Sequence, residues 1–163
     1  ADLFRVTLPG SDGRDLEVLC NAAVLPGRSI STADYQTTGT AVKMPYTIIN
    51  DDVSLSFILT GDYLVKNYFE KWIEKIISKD DIISNRMKYK NTYASDILIE
   101  QLDHKDKVVF SCKLLNAFPI KLSQIDLSYD NHEMINVTID ITYDNYINND
   151  MKTNNSKDVL QGL

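Results

Sequence analysis

Residues 137–143 read Val137-Thr138-Ile139-Asp140-Ile141-Thr142-Tyr143, and their alternation decides the fold. Val137, Ile139, Ile141 and Tyr143 fall on one side; Thr138, Asp140 and Thr142 fall on the other. Side chains of an extended chain point alternately to opposite faces, so a period of two marks a strand with two different surroundings. The apolar side requires a core. The polar side requires water, and the rest of the chain must say which water that is.

The same period recurs upstream. Phe4, Val6 and Leu8 alternate with Arg5 and Thr7; Leu16, Val18, Cys20, Ala22 and Val24 alternate again, after the turn-forming Pro9-Gly10-Ser11-Asp12-Gly13 and before Pro26-Gly27. These two runs predict a hairpin. Val53, Leu55, Phe57 and Leu59, interleaved with Ser54 and Ser56, predict another strand. Residues 94–102 and 108–116 predict a second hairpin across the polar turn 103–106. It is expected to stop at Pro119, which has no N–H for a central ladder. Residues 120–129 are mixed, and Asp130-Asn131-His132-Glu133 predicts a turn into the opening strand.

One helix interrupts the strands. Asp62 is a candidate N-cap. Beyond it Leu64, Val65, Tyr68, Phe69, Trp72, Ile73, Ile76 and Ile77 form one stripe, while Lys66, Glu70, Lys71, Glu74 and Lys75 fill the other side. Burying each large apolar chain contributes roughly 1.5–3 kcal/mol, enough for the stripe to fix the helix on a sheet. The pattern predicts a mainly β chain, an antiparallel β-sandwich or rolled sheet with one amphipathic α-helix.

Residues 28–51 show no clean period. This long loop, opening at Arg28, carries Ile30, Tyr35, Val42, Met44, Tyr46, Ile48 and Ile49 among Ser, Thr and Gly. Connections of this length inside a small domain are unusual and tend to be functional or disordered. So much apolar surface should dock on something, its own domain or a neighbour. Residues 79–92, with Asp80, Asp81, Arg86, Lys88 and Lys90, read as a solvated loop; residues 148–163 read as a polar C-terminal tail after one domain spanning 1–147. The first residue is Ala1 and a strand begins almost at once, which points to residues upstream.

Composition narrows the function. The formal net charge is −6, from 23 acids and 17 bases. That disfavours general polyanion binding, which needs clustered Lys and Arg. No run of apolar residues is long enough to cross a bilayer, so no membrane insertion is expected. Cys20 and Cys112 sit in apolar strand patterns and are expected as buried free thiols. His104 and His132 lie in predicted turns without partners at metal-ligand spacing, and no phosphate loop or nucleophile motif is present. The carboxylate pairs Asp126/Asp130 and Asp140/Asp144 stand near strand ends, where acids are common, and the Asn136-Val137-Thr138 and Asn154-Asn155-Ser156 triplets match a glycosylation pattern by chance. No cofactor, no metal and no enzymatic activity are expected.

The ordered series does carry a resemblance. LFRVTLPG is followed by LEVLCNAAVLPG, by TIINDDVSLSFILTGD at the end of the long loop, by YLVKNYFEKWIEKI, and by CKLLNAFPIKLSQIDLSYDNHEMINVTIDITYDNY. Over residues 2 to 147 the chain resembles the tail tube proteins of contractile-tailed (T4-like) bacteriophages. It departs from them in lacking a longer segment ahead of the first strand and in its longer polar tail. The resemblance implies a subunit of a ring-forming β-barrel tube. Hexameric rings would stack into a channel for double-stranded DNA during ejection, without binding the DNA specifically. It implies the sheath, baseplate and tape-measure proteins as partners, and a place in the virion after assembly in the host bacterial cytoplasm. It implies that 28–51 reaches neighbouring subunits, and that Ser54, Ser56, Thr138, Asp140 and Thr142 line the bore. A baseplate tube initiator, a type VI secretion tube or a phage-like injection particle would use the same fold. A small-ligand-binding β-barrel is the alternative from a different class.

Overall fold

The computed structural model describes residues 3–10, 13–77, 88–128 and 134–148. In chain order the elements are β1 (Leu3–Thr7), α1 (Gly13–Leu16), a 3-10 turn (Glu17–Leu19), β2 (Cys20–Ala23), β3 (Arg28–Tyr35), β4 (Val42–Asn50) and β5 (Val53–Ile58). Then come α2 (Leu64–Ile76), α3 (Lys90–Tyr93), β6 (Ser95–Leu102), β7 (Val108–Leu122), β8 (Asn136–Thr142) and β9 (Asn145–Asn148). The expected turn at 130–133, most of the expected loop at 79–92, the second glycosylation-like triplet and the polar tail beyond Asn148 lie outside the described residues.

The fold is mainly β and antiparallel, as the alternation predicts. Seven strands form one continuous ladder in the order β1-β6-β7-β8-β5-β2, with β9 also on β7. β7 is the joint. Its first part pairs β6 on one side and β9 on the other. From Phe118 to Leu122 it pairs β8. Asn116, where the two parts meet, takes a left-handed φ of 51°, a conformation Asn tolerates better than most residues. Its N–H is held by Asp96 Oδ1 at 3.1 Å.

Pro119 does not stop β7, contrary to expectation. β6 ends at the Ser95–Ala117 pair, so beyond it one side of β7 faces no strand among the described residues. Proline is tolerated beside an open edge and at register irregularities, and the register shifts between Pro119 and Lys121.

The expected hairpin of the first two runs does not form. β1 pairs β6, with Val6 opposite Ile99, while Gly13–Leu19 is helical and only Cys20–Ala23 is a strand, on β5. Alternation says that a segment is extended; it does not choose the partner. Leu16 still reaches the core, but Val18 is left 87% exposed. Gly13 lets this turn close on the end of β1: a Cβ there would stand 2.8 Å from the Leu8 carbonyl oxygen.

α2 appears where its stripe predicts. Val65, Phe69 and Trp72 join Leu55, Phe57, Leu114 and Ile139 in one core. Phe69 stacks on Trp72 at 6.2 Å and tilts against Phe57 at 5.5 Å; the Trp72 indole N–H donates to the Tyr93 carbonyl at 2.8 Å. The cap differs in detail. Tyr63 occupies the cap position in a left-handed conformation, and Asp62 accepts the Leu64 N–H at 3.4 Å. Cys112 is buried and Cys20 half-buried, both free, and burial pushes each thiol up to about 11.

Residues 28–50 are the largest departure. The segment expected as an aperiodic loop is a two-stranded hairpin, β3 on β4, which joins no other strand among the described residues. It shows no period because both faces are exposed, and only a buried face imposes alternation. Its root is fixed. Arg28 lies over the Tyr146 ring at 4.3 Å and donates to Asn145 Oδ1 at 2.9 Å. Asn50 donates to the Asp144 carbonyl at 3.3 Å. The Asp144 carboxylate is in turn held by Lys90 and, at 3.1 Å, by Asn116.

Two outcomes follow for stability. Phe69→Ala removes a fully buried ring and should cost about 3–5 kcal/mol, read as a lower urea midpoint at unchanged slope. The hydrogen bond from Lys90, then that from Asn116, lowers the Asp144 pKa from its ordinary value of 3.8. A carboxylate with a depressed folded pKa stabilises above its unfolded pKa, and that support is lost as pH falls through the folded one. Asp144→Asn should therefore be less stable than the parent near neutrality, with the difference shrinking below pH 3.8 in acid-unfolding curves.

Candidate functional site

Four of the five polar residues singled out in the sequence are brought together by register. β5 and β8 place Ser54 opposite Asp140 and Ser56 opposite Thr138. The Ser54 hydroxyl donates to Asp140 Oδ1 at 2.7 Å. The partners of these strands in the other direction, Val53, Leu55 and Phe57 with Val137, Ile139 and Ile141, are buried. So the hydroxyl and acid row is the outer face of the sheet that α2 covers from within. Thr142 ends the row apart from the others, opposite Phe118, whose ring makes an edge contact with Tyr93.

The sequence did not reveal the neighbours of this row. Lys121 on β7 stands opposite Asp140, so the acid has a base beside it. Asn136 continues the row and accepts a hydrogen bond from Asn21 at 3.0 Å; Ala22 stands opposite Ser56. The face is thus built from small hydroxyls, amides and a methyl, with Asp140 and Lys121 at neighbouring register positions. Residues 120–129 read as mixed in the sequence, and only the β7–β8 register brings Lys121 to Asp140.

The same four strands, β7-β8-β5-β2, end in two open edges. Among the described residues, β2 has a partner only in β5, and residues 118–122 of β7 have one only in β8. Both edges carry exposed apolar side chains: Val18, Val24 and Leu25 flank β2, and Ile120 and Leu127 flank the end of β7. An unpaired edge with apolar flanks is a template for another chain.

The hairpin is the third feature. Ile30, Tyr35, Val42, Met44, Tyr46 and Ile48 are all between 53% and 68% exposed, while Arg28 belongs to the fixed root. Ile30 pairs with Ile48 and Tyr35 with Val42. A strand of eight residues reaches about 26 Å at ~3.3 Å per residue, so the arm extends well beyond its root. Its apolar chains find no cover among the described residues. Those residues include no group of three or more His, Cys, Asp or Glu able to hold a metal, and no helix long and apolar enough to cross a membrane.

The fold has counterparts among solved structures. The chain is similar to a protein in the cryo-EM structure of the anti-feeding prophage tube-terminating cap, with TM-score 0.65 and 23% identity over 89% of this chain and 86% of that one. It is similar to a chain of the PVC sheath–tube complex of an extracellular contractile injection system, with TM-score 0.65 and 19% identity over the same shares. It also resembles a chain of the anti-feeding prophage baseplate, with TM-score 0.67 and 12% identity over 91% and 93%. No curated protein matches it by sequence. The profile of phage tail tube proteins matches residues 3–149, nearly the whole of the described sheet, helix and hairpin, and the chain therefore belongs to the phage tail tube protein family, whose members are structural subunits and not enzymes.

Proposed function

We propose that copies of this chain close into hexameric rings that stack into the tube of a contractile tail, and that DNA passes through the bore during ejection. The observation that carries the reading is the four-stranded sheet with an open edge on each side. Successive strands β7, β8, β5 and β2 are antiparallel, so β2 runs opposite to β7. A neighbour that offers its β2 to residues 118–122 of β7 therefore continues the antiparallel order without a break. Repeated around a ring, this seals every edge of the sheet, and closure is the full remedy for an edge. Ring-to-ring contacts are heterologous and repeat into a filament. The exposed hairpin is the natural reach between subunits, its apolar chains covered by the next copy.

The remaining face then turns to the bore, lined by Ser54, Ser56, Thr138 and Asp140, with Thr142 at the end of the row. Hydroxyls and amides offer phosphate no strong grip, and Lys121 beside Asp140 leaves little net charge. With a Debye length of about 8 Å at ~0.15 M salt, what charge remains acts only near the wall. Sheath, baseplate and tape-measure proteins are the partners of such a tube, which would be assembled in the host cytoplasm and kept in the virion. An initiator ring at the baseplate, or a tube of an injection particle with a protein cargo, would use the same sheet. The likeness to the anti-feeding prophage and PVC chains favours keeping the second of these in view.

Negative-stain microscopy of the purified chain, alone and seeded with its baseplate, tests the assembly. Rings or tubes with a central hole are expected; a protein that stays a single compact particle under both conditions overturns the reading. Asp140→Lys puts two lysines side by side on the wall. Assembly should be unchanged and DNA ejection slower; an unchanged ejection rate removes the lining role.

A further inference from the structure

A groove of about 450 Å³ runs between α2 and the chain that leaves β7. Ile73, Leu122 and Ile125 give it an apolar floor, with Lys66, Glu70 and Glu74 along the rim. Lys66 and Glu70 pair with each other, which leaves the floor as the adhesive part. Through Leu122 the groove adjoins residues 118–122, the edge of β7 that has no strand against it among the described residues.

The complementary feature lies at the opposite edge. Val18, 87% exposed, stands on the 3-10 turn that leads into β2. Among the described residues it is the most exposed large aliphatic side chain, yet it is flanked by Leu16, fully buried, and Leu19, packed against the core. The turn is therefore anchored on both sides and cannot tuck Val18 away. α1 and this turn pack on the same side of the sheet as α2, because Leu16, Val65 and Phe69 share one core.

Register relates the two edges. Across the sheet Ala23, Leu55, Ile139 and Leu122 stand level with one another. Cys20 is opposite Phe57 and so level with Val137, next to Thr138, whose backbone exchanges a bond with Ser123. The chain just before β2 thus stands at the height of the chain just after Leu122, in the same layer, at the two ends of the sheet. When copies meet edge to edge, one end faces the other.

We infer that Val18 of one copy seats in the groove between α2 and residues 122–125 of the next copy around the ring. This rests on the ring reading above and adds a contact outside the strand ladder. The occupant is a second copy of this chain because the same four-stranded sheet presents the plug at one edge and the groove at the other, in one layer and at matching height. A contact of this kind is heterologous, with different residues on the two partners, and repeats around a ring until it closes.

The test is a disulfide. Val18→Cys with Ile125→Cys is made on a Cys20→Ser background, assembled, treated with mild oxidant and run without reductant. A covalent ladder of multimers is expected from the double variant, and none from Val18→Cys alone. Val18→Asp supplies a second reading. An exposed residue should leave the monomer's melting curve unchanged, while the protein concentration at which rings form rises about tenfold or more. Rings by microscopy without a ladder, or Val18→Asp assembling like the parent, overturn this contact and leave the ring reading standing. A parent protein that forms no rings overturns both.

Discussion

The structure depends on β7 serving two ladders at once. Over its first part it holds β6 and β9, and over its last residues it holds β8. Backbone N–H and C=O groups must find partners, and a strand that supplies them to both halves fixes how the halves meet. The left-handed Asn116 and the register shift near Pro119 mark where the strand passes from one half to the other. α2 then closes the concave side, and the row Phe57, Phe69, Trp72 ties helix to sheet through ring contacts.

What that arrangement satisfies inside, it leaves unsatisfied outside. The end of β7 is freed by the departure of β6, and β2 covers only one side of β5's sheet. No loop among the described residues caps these edges. Instead, apolar side chains flank both, and a hairpin with a firm root carries more apolar surface outward. For a lone particle each of these is an aggregation hazard. In the proposed ring they become contact surfaces, and the hazard is channelled into a defined polymer.

In the proposed tube the polar face meets a different requirement. A surface past which a charged polymer slides must be wetted but must not hold. Ser54 is hydrogen-bonded to Asp140, Thr138 stands beside Ser56, and Lys121 stands across from Asp140 on this face. Groups already paired have less to offer a passing phosphate, and a compensated charge projects little field.

The opening strand, the Ser54–Ser56 strand and the Trp72 helix were legible because each has one buried face, and burial writes its period into the sequence. The row Ser54, Ser56, Thr138 and Asp140 was legible for the same reason, as the inverse of the apolar row. The hairpin 28–50 was not, since neither of its faces is buried within the chain and nothing forces its residues to alternate. The pairing of β1 with β6 instead of β2, the survival of β7 past Pro119 and the placing of Lys121 against Asp140 all turn on which strands lie side by side. Local sequence records how a segment buries itself. Only the tertiary structure decides its neighbours, because ladder hydrogen bonds are made by a backbone common to every residue and carry no signature of the partner.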